Sequence, residues 1–200
     1  ADPRGSVTVV DVSALTSEVV GFDAFDAQRD ELAASGVVLK KGVNPATDLE
    51  PEYIAVSGGK AYITLQENNA IAVLDLTSRT FDGIYSAGFE DYGVTPVDID
   101  KKDDAYAPKI YGSLLGIRMP DAIAAFQAEG KTYLVTANEG DAREWGDEDL
   151  GTFYLSEDEQ DFGEEGVTSP TGAITGENSG LEGKVVFFKS EDFDGLDAGK

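Results

Sequence analysis

Apolar positions along most of this chain recur with the two-residue period of strands, cut at intervals by turn formers. Residues 51–76 read PEYIAVSGGKAYITLQENNAIAVLDL. Gly58-Gly59 and Asn68-Asn69 divide these Val, Ile, Ala and Tyr runs, which predicts strands joined by tight turns. Residues 120–141, PDAIAAFQAEGKTYLVTANEGD, repeat the order. Each segment has a proline, a carboxylate, an apolar strand, a glycine turn, a second strand and a polar Glu/Asn cluster. VTVVDV at 7–12 matches IAVLDL at 71–76, setting Asp11 against Asp75. One stretch changes period. In FDAFDAQRDELAASG (22–36), Phe22, Phe25, Leu32 and Ala33 share one face of a short helix that Gly36 ends. VVLKKG then reads as a short strand, and NPATDLEP as a polar lead-in turn.

Recurring strand units of this kind predict an all-β fold built from β-propeller blades. A whole ring needs at least four blades of about 40–50 residues each. The chain has 200 residues and two clear blade starts, at Pro51 and Pro120. The expectation is a partial propeller or fragment spanning 1–200, completed by remaining blades or another chain of the same assembly. Two insertions interrupt it. Residues 86–119 form an acidic loop, and residues 146–182 an extended acidic, glycine-rich excursion. Insertions in repeat rings gather on one face and commonly carry function. GKVVFFKS at 183–190 predicts a closing strand.

Charge narrows the function classes. Thirty-nine acidic and fifteen basic side chains leave a net charge of −24. That field repels nucleic acid and anionic membrane and concentrates cations. It also suits a marine or halophilic source. There is no histidine and no cysteine. Thiol chemistry, disulfides and thiolate zinc sites are therefore excluded, and the usual acid/base side chain is missing. A carboxylate-rich chain without these ligands favours hard cations, calcium above all. No apolar run is long enough to span a membrane, so direct insertion is not expected. No signal peptide is present; the start at Ala1-Asp2 reads as a processed mature end or an expression cut.

Glu52 and Asp121 each follow a proline at the start of a predicted innermost strand, where propeller strands approach the axis. Two carboxylates there repel unless a cation or proton joins them. One reading is metal or polar-ligand binding in the channel; the other is backbone capping or hydrogen bonding between blades. Glu139, Asp141 and Arg143 form a dense charged group beside Trp145. Asn68, Asn69 and Asn138 add oxygen ligands or turn caps. In DIDKKDD, Asp98, Asp100, Asp103 and Asp104 offer oxygen donors to calcium, without the full EF-hand spacing. A solvated charged loop is the competing reading. Arg118 and Arg143 either neutralise nearby acids or grip a phosphate or carboxylate. No nucleophile elbow or phosphate-cradling loop is present. If the chain is an enzyme, metal-assisted hydrolysis remains, with calcium polarising a phosphoryl group and Arg118 or Arg143 holding its oxygens. A glycan or surface protein is the alternative ligand.

FDAFDAQRDELAASG, DLEPEYIAV, VDIDKKDD, RMPDAIAAF and YLVTANEGDAREW together resemble the exported bacterial choice-of-anchor I family proteins, related to mesenchyme-specific cell-surface glycoproteins. That family is similar to WD40-like or YVTN-type propellers, its members are larger than this chain, and some are labelled alkaline phosphatase-like. The resemblance implies an extracellular or cell-surface protein. Its phosphatase-like label implies a calcium-dependent phosphoesterase with a metal set at Glu52, Asp121, Glu139 and Asp141 and arginine support. Related aspartate loops tend toward DxSDxDG wording. Here Lys101-Lys102 and Asp104 replace part of it and the glycine is absent. The expectation taken forward is a calcium-stabilised propeller with a structural, adhesion or binding role at the cell surface. The phosphoesterase is the alternative, and catalysis stays open.

Overall fold

The computed structural model describes residues 3–99, 105–112, 114–141, 144–145, 156–157, 159–161, 186–188 and 192–196. In chain order its strands are β1 (Ser6–Asp11), β2 (Thr16–Gly21), β3 (Leu39–Lys40), β4 (Ile54–Ser57), β5 (Lys60–Leu65), β6 (Ala70–Asp75), β7 (Thr80–Ser86), β8 (Phe89–Asp91), β9 (Leu115–Ile117), β10 (Pro120–Ala128) and β11 (Lys131–Asn138). Five short strands follow: β12 (Glu144–Trp145), β13 (Ser156–Glu157), β14 (Glu159–Asp161), β15 (Val186–Phe188) and β16 (Phe193–Asp194), the last paired with β3. A 3-10 turn (Asp23–Gln28) runs into helix α1 (Arg29–Ala34), and α2 (Pro45–Asp48) is a single helical turn. The protein is all-β in class, built from small antiparallel sheets that do not close into a barrel among the described residues.

Two compact units divide the chain. The first holds Ala1–Gly88, Arg118–Asp141 and Asp194–Lys200; the second holds Phe89–Ile117 and Ala142–Phe193.

The first unit is organised by a four-stranded meander in the order β4-β5-β6-β7. Strict alternation sends Ala61, Ile63 and Leu65 of β5 to one face. Across the register they meet Leu74, Ala72 and Ala70 of β6. Each pair joins one large and one small side chain, so the sheet face stays level and all six residues are buried. The predicted helix packs on this face, although its first half winds as the 3-10 turn. Phe22, Phe25 and Leu32 are buried there, and the Phe22 ring stacks on Phe81 of β7 at 4.5 Å. Gly36 ends the helix with φ of 95°, a conformation that glycine adopts without a Cβ clash. Arg29 donates to the Lys40 and Val43 carbonyls and pairs with Asp194 at 2.7 Å, tying α1 to the chain that follows it.

The two matched segments each fold into an antiparallel hairpin. β4 and β5 are joined by Gly58-Gly59, with φ of 60° and 79°. β10 and β11 are joined by Glu129-Gly130, with φ of 51° and 73°. Both are two-residue turns with positive φ at each position, whose twist matches the flanking strands. The β6–β7 and β1–β2 hairpins match one another as well. Asp75 accepts from the N–H groups of Thr77 and Ser78, and Asp11 from those of Ser13 and Ala14. Four residues after each aspartate the chain turns left-handed, at Arg79 (55°) and Leu15 (53°). Among the described residues, however, β10–β11 and β1–β2 each remain two-stranded.

The second unit contains strands that its polar composition hides. β8 pairs with β9, Val97 bridges to Lys109, and the Tyr92 ring lies over Gly116, where any side chain would strike it. The expected closing strand is present as β15, paired with β14 rather than with a blade.

Candidate functional site

The loop Gln66-Glu67-Asn68-Asn69, between β5 and β6, positions the backbone of both carboxylate-bearing strands. Asn68 is buried; it donates to the Val38 carbonyl (2.9 Å) and to Asp48 (3.3 Å), and its side-chain oxygen accepts from Glu50 N–H (3.3 Å). Asp48, also buried, accepts from Lys40 N–H at 3.0 Å. These bonds fix the lead-in to β4. Glu52 N–H then donates to the Thr64 carbonyl (3.0 Å) and Tyr53 N–H to the Thr64 hydroxyl (3.0 Å), extending the β4–β5 ladder beyond the strand proper.

The neighbouring residues of the loop hold the other strand pair. Asn69 is buried; it donates to the Gly88 carbonyl (3.0 Å) and accepts from Met119 N–H (3.2 Å). Gln66 donates to the Glu139 carbonyl (3.0 Å), and Glu139 N–H donates to the Met119 carbonyl (3.1 Å). One four-residue turn therefore sets the backbone at Glu50, Met119 and Glu139 together. Asn68 and Asn69 serve as scaffold, with their amides directed to backbone groups and, at Asn68, also to the Asp48 carboxylate. Turn chemistry predicts asparagine at such places, but the burial that makes these two irreplaceable comes from segments distant in sequence.

Asp121 lies in the irregular stretch of register between Pro120 and Ile123. A bulge there adds length to the strand and re-aims its side chains. Of the predicted acids, Asp121 and Asp141 lie within electrostatic reach of Glu52. The Glu52 carboxyl is held above its ordinary range, first by partial burial and then by the charges of Glu50, Asp121 and Asp141. Glu52, Glu139 and Asp141 are nevertheless exposed at the surface, and Asp121 is half-buried. Among the described residues no group of three or more acids is close enough to hold a metal ion. Among the described residues these acids make an electronegative surface without a preformed coordination shell.

Arg118 is exposed and donates to the Ala87 carbonyl at 2.9 Å. Asp98, in the second unit, accepts from Ala107 N–H at 2.7 Å and so closes its own loop. Asp100, Asp103 and Arg143 lie outside the described residues, as does most of the 146–182 insertion. No helix among the described residues is long and apolar enough to cross a membrane.

Comparison with curated proteins finds no match, and comparison with solved structures finds none either. Against protein families the outcome is different: the choice-of-anchor I domain matches residues 1–192, nearly the whole chain, and the protein belongs to that family of cell-surface-anchored proteins.

Proposed function

We propose that this chain is a blade-bearing part of an extracellular β-propeller whose acidic mouth is stabilised by calcium, with a structural, adhesion or binding role at the cell surface. The observation that carries this reading is the raised Glu52 carboxyl. Asp121 and Asp141, remote from Glu52 in sequence, add their charge to the effect of its partial burial and of neighbouring Glu50. Family membership and the net charge of −24 agree with such a setting. Because the acids do not converge on one point, calcium's part here is to neutralise the mouth. Arg118 is engaged by a backbone carbonyl, which favours the binding reading over the phosphoesterase.

Calcium that binds the folded state alone raises the melting temperature by mass action. Thermal melts in calcium and in chelator test this, run beside a Glu52→Gln/Asp121→Asn/Asp141→Asn variant. A calcium-dependent rise that the triple variant loses supports the proposal. Superimposable melts for the natural chain reject it.

A further inference from the structure

We infer that the chain self-associates by strand addition, β1 of one copy pairing antiparallel with the open edge of β11 in another. The inference rests on the repeated-sheet reading above, though not on calcium. β4–β5 is continued by β6–β7 into a four-stranded sheet. β10–β11 reproduces β4–β5, down to the positive-φ turn, the lysine after it (Lys60, Lys131) and the tyrosine two residues on (Tyr62, Tyr133). It therefore offers the edge that β5 gives to β6. β1–β2 reproduces β6–β7, with the same aspartate cap and the same left-handed residue. It offers the edge that β6 gives to β5. Among the described residues neither edge is paired. One molecule thus presents the two complementary halves of a sheet that it elsewhere contains whole.

The repeat also fixes the register. Lys60 faces Asp75, Tyr62 faces Val73 and Ile63 faces Ala72. Carried over, Lys131 faces Asp11, Tyr133 faces Val9 and Leu134 faces Thr8. Opposite charges meet at the first pair. The composite sheet would place Tyr133 and Val135 on the face that carries Val7 and Val9, and that face already packs on the four-stranded sheet. Two exposed apolar sets would then be covered together. Phe126 and Tyr133 stack at 5.3 Å on the open face of β10–β11, beside Val135 at 56% exposure. Ile54 (49%) and Val56 (62%) lie at the uncovered margin of the four-stranded sheet, on the face of Ile63 and Ala61. Exposed apolar sheet faces and unpaired edges of this kind are association surfaces. The net charge of −24 opposes assembly, so association strengthens with salt.

The chain has no cysteine, which allows a clean test. Full-length Leu134→Cys is mixed with full-length Thr8→Cys and oxidised, and Lys131→Cys with Asp11→Cys provides a second in-register pair. Tyr133→Cys with Thr8→Cys is the control, one residue out of register and on opposite faces. The expected result is mixed disulfide dimers in both in-register pairs, at least about tenfold above the control, because disulfides demand close, facing Cβ atoms. Sedimentation of the natural chain should show self-association that Val135→Lys weakens. A natural chain that stays monomeric at every concentration, or equal cross-linking in all three mixtures, overturns the inference. Calcium-dependent melting is read separately, so failure of one proposal leaves the other distinguishable.

Discussion

Asp11 and Asp75 cap two hairpins in the same way, each accepting from the backbone N–H groups two and three residues further on. At Asp75 those bonds, led by the one from Ser78, hold the carboxyl below its ordinary value of 3.8. A carboxyl lowered on folding contributes stability that is complete above the ordinary value and is lost as pH falls through the folded one. Asp75→Ala should therefore lower Tm at pH 7 by about 2–6 °C. Asp75→Asn, which keeps an accepting oxygen, should lose less. The gap between Asp75→Ala and the natural chain should narrow in melts run below pH 3.8. A gap unchanged across that range would show that the ionised carboxylate is not what caps the turn.

Phe22 joins the helical segment to the four-stranded sheet. It is fully buried, stacks on Phe81 and lies 6.3 Å from Phe25. Truncating a buried phenylalanine costs about 3–5 kcal/mol when the cavity cannot collapse. Phe22→Ala should cause a loss of that order in urea titrations. The Phe22→Ala/Phe81→Ala double variant should fall short of the summed single losses by about 0.5–1.5 kcal/mol. Strict additivity would mean that the two rings do not support each other.

Local features of the fold were legible wherever one segment carried the whole signal. Gly58-Gly59 and Gly130 mark their hairpins, and the Asp11/Asp75 match pairs two strand ends whose shared turn caps only the structure shows. Phe22, Phe25 and Leu32 marked a buried face, though not that its first half would wind as a 3-10 turn. What depends on distant segments was hidden. NPATDLEP reads as polar, yet Asp48 is buried because Lys40 and Asn68 satisfy it. The insertion at 86–119 reads as loop, because three-residue strands such as β8 and β9 are too short to show a period. At the candidate site, the sequence points to Glu52 and Asp121 as neighbours in space. It does not reveal the bulge at Asp121 or the service of Gln66, Asn68 and Asn69 to both strands.

Gly5 marks a close backbone approach. Its N–H donates to the Ala46 carbonyl at 3.0 Å, and a Cβ added there would overlap the Leu49 carbonyl oxygen. Only a residue without a side chain lets the chain ahead of β1 lie against α2. Gly5→Ala should destabilise by about 1–3 kcal/mol, the usual range for overpacking against a fixed neighbour. Urea unfolding measures it. Since Gly5 lies beside Leu49, near the lead-in to β4, amide exchange at Glu50 and Glu52 should quicken in the variant. Unchanged stability would mean that this approach is loose in solution.

Glu52 carries the opposite linkage from Asp75. Its folded carboxyl lies above the ordinary 4.5, so the folded state holds the proton more tightly than the unfolded chain does. Once ionised, it opposes folding; that penalty is complete above the folded value and fades as pH falls toward 4.5. Without calcium, Glu52→Gln should raise Tm at pH 7, by no more than about 2 °C because the group is exposed and screened. The gain should vanish in melts below pH 4.5. Asp121→Asn relieves the same repulsion, so the double variant should gain less than the two single gains combined. In calcium the order reverses: the natural chain binds the cation and gains stability, while Glu52→Gln has given up part of that attraction. If Glu52→Gln is more stable at pH 7 by the same amount with and without calcium, the acids repel one another but recruit no cation.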